Sequence, residues 1–296
     1  MKPESTTRIY ELMGWLPLAV LPFSAAAASW HLQPWVFMWV LSSSIYFGLK
    51  WWSWWKARNK IVHAPWRSIA YVLAWPGMDA KPFLDASRSV PLPPWRAWVA
   101  AVLKTCFGAG LLWGVARCFP AVQPLWRGWT GMIGLIFLLH FGSFHIVALF
   151  WQSLGVDAKP IMASPLRSES LGEFWGKRWN LGFRQLAHEL IFVPLHKKLG
   201  AKATGFLVFV ASGVIHDLVI SVPACGGYGL PTGYFAVQGL GVLVEHSSFG
   251  ARLGLRKGVR GWLFTVLFTA APAFWLFHPW FVVRVIIPFM YWIHAL

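Results

Sequence analysis

This sequence predicts an all-α, polytopic transmembrane helical bundle of about eight spans, on three observations. Of its 296 residues, 57% are hydrophobic and only 12% charged, whereas a soluble domain carries about 25% charged residues. The apolar residues fall into runs near the 20 or so that a bilayer-crossing helix requires. Lys and Arg concentrate between alternate runs, and 22 Trp and 23 Phe accompany them, as at bilayer–water interfaces.

The runs place spans at approximately 14–30, 34–49, 97–116, 129–151, 205–222, 232–247, 259–277 and 279–294. Several contain Pro or Gly, which membrane helices tolerate. The sixth is short, ends in Glu245-His246, and reads as tilted or re-entrant. A cleaved signal is the rival reading of the first run, because Ser24-Ala25-Ala26-Ala27-Ala28-Ser29 follows it. Glu4, Glu11, Pro17 and Pro22 argue against it, so the run reads as a retained span. No internal repeat, low-complexity tract or second domain is visible, so 1–296 reads as one membrane domain.

Charge sets the expected orientation. Lys50, Lys56, Arg58, Lys60, Arg67, Lys81, Arg88 and Arg96 follow the second run. Lys159, Arg167, Lys177, Arg178, Arg184, Lys197, Lys198 and Lys202 follow the fourth, and Arg252, Arg256, Lys257 and Arg260 the sixth. The positive-inside rule then places both termini and both long loops in the cytoplasm. The membrane is the inner one in a bacterium or the endoplasmic reticulum in a eukaryote. The same rule accounts for the net charge of +16 without nucleic acid. Cys106, Cys118 and Cys225 lack CxxC spacing and read as small buried hydrophobes.

Ionisable groups inside spans are costly and are functional candidates by default. The fifth run carries His216 and Asp217 near its middle, with Ser212 one turn before His216 on the same face. Desolvation there favours a neutral imidazole, able to accept a proton. Asp217 is rotated about 100° away and serves another partner. The bland alternative for His216 is a packing histidine with one hydrogen bond. Phe174-Trp175-Gly176-Lys177-Arg178-Trp179-Asn180 lies between the fourth and fifth runs. As an α-helix it stacks Trp175 on Trp179 and Phe174 on Arg178, an arrangement that also suits an interfacial anchor. Asn180 has no use in such an anchor. Trp51, Trp52, Trp54 and Trp55 with Lys56 and Arg58 read as an interfacial belt. Glu245 is expected to be paired or hydrogen-bonded. His140 and His145, five residues apart, share no helical face, and no metal site is predicted. No G-x-S-x-G elbow or phosphate-binding Gly-rich loop occurs.

Taken together, Phe174–Asn180 and Ser212-Gly213-Val214-Ile215-His216-Asp217 resemble the membrane-bound O-acyltransferase (MBOAT) superfamily, and within it the wax synthase branch. Trp75-Pro76-Gly77-Met78-Asp79 and Gln238-Gly239 with Glu245 extend the likeness over about 70–250, in the expected order. Lys177 stands where Arg is usual and Asp217 where Glu is frequent. The resemblance implies an MBOAT-like fold and acyl transfer from acyl-CoA, as co-substrate without other cofactor, to the hydroxyl of a lipophilic alcohol. A long-chain fatty alcohol, giving a wax ester, is the first expectation. It further implies His216 as base and Asn180 as its companion, with Trp175, Arg178, Trp179, Ser212, Asp217 and Glu245 in support. The CoA is expected from the cytoplasmic side, near Lys177, Arg178, Arg184, Lys197 and Lys198. The alternatives are O-acetylation of a sterol, terpenoid or other natural product, and, in another class, a proton-coupled transporter using His216, Asp217 and Glu245.

Overall fold

The computed structural model describes residues 4–296. Among them every regular element is helical. The chain runs through α1 (Glu4–Ala27), α2 (Pro34–Ala57), α3 (Pro65–Ala74), α4 (Ala80–Leu84), α5 (Trp95–Cys118) and α6 (Pro124–Ser153). It continues through a short helix α7 (171–178), α8 (Leu181–Ala224), α9 (Leu230–Glu245), α10 (Ser248–Leu253), α11 (Gly258–Leu276) and α12 (Pro279–Trp292). Pro34, Pro65 and Pro124 open their helices, where the missing N–H has no intrahelical partner to lose.

α5, α6, α8 and α11 are long and apolar enough to cross a membrane. α9 has 16 residues and α12 is shorter still, below the roughly 20 that a perpendicular span needs. An all-α membrane protein is therefore what the structure supports, with eight as the expected span number. Small residues let helices approach closely, as is usual in lipid. A Cβ on Gly134 of α6 would lie 2.9 Å from the Gly108 carbonyl oxygen of α5, and one on Gly213 of α8 would lie 2.6 Å from the Thr232 Cα of α9.

α8 is the element that shapes the site. Unbroken, its 44 residues would extend about 66 Å, twice the hydrocarbon thickness. It is broken at Gly200, whose φ of 77° and ψ of 163° lie in a region open essentially to glycine alone. Phe183, Arg184 and His188 before the break line the same cavity as Phe209, Ser212 and His216 after it. The chain therefore folds back at Gly200, and α8 is a hairpin of two arms.

Four expectations are corrected. α2 runs on to Ala57, so Lys50 belongs to a helix and is fully buried, giving its ammonium protons to the Gly77 carbonyl above the Tyr71 ring. Arg67, also counted among loop cations, is buried and donates to the Phe83 and Asp85 carbonyls, 3.1 Å each. Trp52 and Trp55 of the aromatic belt are interior: the Trp55 indole donates to the Tyr10 carbonyl at 2.8 Å, and the Arg58 guanidinium sits 3.3 Å over its ring. Finally, Cys106, Cys118 and Cys225 are exposed, because the outer face of a lipid-embedded bundle accepts a weakly polar thiol as readily as its interior does.

Candidate active site

The turn that presents Asn180 is built first. Ser170 caps α7 by accepting the Glu173 N–H at 3.0 Å, and the Glu173 carboxylate reaches back to the Glu169 N–H at 2.8 Å, close to a capping box. That N–H, then the Arg178 guanidinium, hold the Glu173 carboxyl below the ordinary glutamate range. From Phe174 to Arg178 the helix widens into a π turn, closed by the Trp179 N–H on the Phe174 carbonyl at 2.9 Å. This corrects the α-helical pairing. Phe174 stacks on Trp179, five residues on, with centroids 5.3 Å apart and planes at 16°. Arg178 instead bonds Glu173 at 2.7 and 2.9 Å and the Ala163 carbonyl at 3.2 Å. Trp175 meets Trp179 edge-on at 6.4 Å, and its indole N–H donates to Gln238 Oε1 at 3.2 Å.

Asn180 adopts φ 41° and ψ 61°, a left-handed conformation that Asn tolerates better than most residues. There its Oδ1 accepts the Phe183 N–H at 3.3 Å and caps α8. Only the carbonyl oxygen can accept from an N–H, so the amide orientation is fixed. Among the described residues the Nδ2 group has no partner, and the side chain lines the cavity. Behind this turn, Gly182 lies against Met78: a Cβ there would come within 3.0 Å of the Met78 nitrogen. The Trp75–Asp79 segment thus backs the turn, and the buried Lys50 holds it from below.

His216 lines the same cavity. Its Nδ1 is 2.7 Å from the Ser212 carbonyl oxygen; a carbonyl can only accept, so Nδ1 carries a proton, and in the neutral imidazole Nε2 keeps the lone pair. The ring packs on Phe235 at a centroid distance of 4.5 Å. The cavity has a volume of about 280 Å³. Its polar groups are Asn180, Arg184, His188, Ser212 and His216, and aromatic rings, Trp175, Trp179, Phe209 and Phe235 among them, supply much of the rest. Among the described residues no hydrogen bond joins Asn180 to His216.

Of the eight residues predicted for the site, Trp175, Trp179, Asn180, Ser212 and His216 share this cavity. Arg178, Asp217 and Glu245 lie outside it. Glu245, 1% exposed, accepts the Leu171 N–H at 2.5 Å and the Gly172 N–H at 3.3 Å, tying α9 to the start of α7. Asp217 accepts from Ser221 Oγ at 2.8 Å, the Gly229 N–H at 2.9 Å, the Thr232 N–H at 3.0 Å and the Thr232 hydroxyl. Sequence reasoning missed His188; its spacing of four from Arg184 is a signal that places both on one helical face. It also missed His278, for which no sequence signal exists.

Residues 158–235 match the Membrane bound O-acyl transferase family. A probable long-chain-alcohol O-fatty-acyltransferase of Arabidopsis thaliana is 30% identical over 142 residues, 43% of this chain and 41% of the relative. The long-chain-alcohol O-fatty-acyltransferase of Simmondsia chinensis is 26% identical over 203 residues, 62% and 55% respectively. An acyl-CoA–sterol O-acyltransferase of Arabidopsis thaliana is 27% identical over 146 residues, 43% and 39%. The chain spans about half the length of the curated relatives it matches. These matches bear out the resemblance to the membrane-bound O-acyltransferase superfamily and its wax synthase-like branch.

Proposed function

We propose that this chain is an acyl-CoA-dependent O-acyltransferase that esterifies a lipophilic alcohol, with a long-chain fatty alcohol as acceptor and a wax ester as product. One observation carries the reading: His216 and Asn180 line one cavity, each with a single unpaired polar atom of the kind acyl transfer uses.

In this reading His216 Nε2 takes the hydroxyl proton as the alcohol oxygen attacks the thioester carbonyl carbon. Asn180 Nδ2–H donates to the carbonyl oxygen as negative charge develops on it. The carbon–sulfur bond then breaks, and the thiolate takes the proton from the imidazolium. Ester and free thiol leave, and His216 is again neutral. Trp175, held by Gln238, gives the cavity a rigid aromatic wall. The acyl donor enters from the cytoplasm past Arg184 and His188, both exposed at the cavity's rim. The alcohol enters from the bilayer, its chain partitioning at about 0.8 kcal/mol per buried CH₂. The transporter alternative gains no support from Asp217 and Glu245, whose carboxylates are engaged by backbone N–H groups outside the cavity.

The test supplies membranes bearing the chain with labelled palmitoyl-CoA and, in parallel, hexadecanol, a sterol, diacylglycerol and water-soluble alcohols. Labelled hexadecyl palmitate is expected. Preferential labelling of the sterol, with hexadecanol inert, would overturn the wax-ester acceptor and leave the acyl transfer standing.

A further inference from the structure

Immediately after His216 along α8 begins a second polar cluster that the proposed reaction does not use. It contains Asp217, Ser221 and His278; Ser221 and His278 are fully buried. The His278 side chain caps α12, its Nδ1 accepting the Phe281 N–H at 3.2 Å. A neutral imidazole accepting at Nδ1 carries its proton at Nε2, and that nitrogen lies 3.2 Å from Ser221 Oγ. The hydroxyl therefore receives from His278 and gives its own proton to Asp217 Oδ1 at 2.8 Å, a shorter and charge-assisted bond than the one open to it on the Gly227 carbonyl at 3.2 Å. The chain of donors runs one way, His278 to Ser221 to Asp217. Ser221 is no nucleophile here, since its proton goes to the carboxylate and His278 presents it a donor. A π turn over Asp217–Ser221 sets the two side chains at this spacing.

The carboxylate at the end of this chain leads back to His216. Its acceptor sites also hold the Gly229 and Thr232 N–H groups and the Thr232 hydroxyl, at the first turn of α9. Thr232 is the residue against which Gly213 of α8 packs. One turn further along α9, Phe235 is the ring on which His216 rests, 4.5 Å away. Asp217 thus fixes the register of α9 against the helix that bears the base, and Ser221 and His278 fix Asp217. Any drift of the carboxylate moves Phe235 and the floor beneath the imidazole.

We propose that His278, which lies beyond the 158–235 segment matched to the family, is a positioning residue for His216, acting through Ser221 and Asp217. His278, the cap of the C-terminal helix, is thereby tied to the catalytic unit. The inference rests on His216 being the base.

Two substitutions one methylene apart separate the two ends of the imidazole. His278→Asn keeps an acceptor near the Phe281 N–H, as Asn caps helices well, and loses the reach to Ser221. His278→Gln keeps a donor near Ser221. For each purified full-length protein, kcat and KM are measured with acyl-CoA and alcohol, together with the rate at which diethyl pyrocarbonate modifies His216, read by peptide mass spectrometry. For His278→Asn we expect kcat to fall by up to about 10²-fold, the loss that a misplacement near 1 Å produces, with KM little changed. The His216 modification rate should change as well, and His278→Gln should recover most of both. Arg284→Gln is the control: it breaks the bonds from Arg284 to the Ala224 and Cys225 carbonyls, 3.0 Å each, loosening the same helix without touching the cluster, and should spare kcat. Overturning results are a His278→Asn protein with unaltered kcat and unaltered His216 modification, equal impairment in Asn and Gln variants, or a loss confined to KM. Should the wild-type chain form no ester with any donor, the functional reading fails, and the modification rate of His216 still decides whether His278 positions it.

Discussion

Asn180 and His216 differ from Asp217 and Glu245 in what is left unpaired. The first two are neutral, face a cavity, and are each held by one backbone bond at one end, with one polar atom free at the other. The two carboxylates carry the charge, yet backbone N–H groups and hydroxyls occupy them. Charge in a span is a good pointer to importance and a poor pointer to chemistry. A buried carboxylate held by several N–H donors is a structural joint. A neutral side chain with one satisfied end and one open end is oriented and still available.

The sharpest test of this difference is His216→Ala, which should leave an inserted protein and lower ester formation by roughly 10²–10⁴-fold, the usual loss of a general base. Near-normal turnover in the purified variant would remove His216 from the reaction. Next comes Asn180→Gly. Glycine suits the left-handed backbone at 180 and replaces an Asn cap at a cost of only a few tenths of a kcal/mol, so stability should hold. The free amide donor is gone, however, and kcat should drop on the order of 10²–10³-fold. If activity survived while the thermal midpoint fell, Asn180 would be a cap and nothing more.

Asp217→Asn inverts the pattern. One carboxylate oxygen becomes an NH₂ facing donors, and an unsatisfied buried group costs about 1–3 kcal/mol. The expected result is a lower thermal midpoint with a smaller loss of kcat than either substitution above. A loss matching His216→Ala would place Asp217 in the chemistry. The smallest effect is on acidification. The Glu173 carboxyl is held below its ordinary range, so its contribution is present above that range and disappears as pH falls through its lowered value. Because the Glu173–Arg178 pair is partly exposed, the change is small. Comparing the pH dependence of unfolding in the wild type and Glu173→Gln isolates it; identical curves would show that the pair contributes nothing.

The helical runs were legible because lipid makes the apolar length of a helix visible in sequence. The neighbourhood of Asn180 and His216 was legible because short motifs kept their order along the chain. Lys50 was misread as a loop cation because a positive-inside count has no means of seeing that α2 continues eight residues further and that a backbone carbonyl, Gly77, waits for the ammonium. The Phe174–Arg178 pairing failed for a related reason. Whether a turn closes at four residues or five is decided by surrounding packing, and the amino acids of a π turn look like those of an α turn.

By itself the sequence determined a membrane-embedded, all-helical chain and named two side chains that line one cavity. The tertiary structure decided how they come to share it. The fold-back at Gly200 brings residues before and after it to one cavity, and no local pattern encodes the direction a hairpin takes. It also decided that Asp217 answers to Ser221, Thr232 and His278, a residue 61 positions away. Hydrogen-bond partners are chosen by distance in space, and composition and spacing report only distance along the chain.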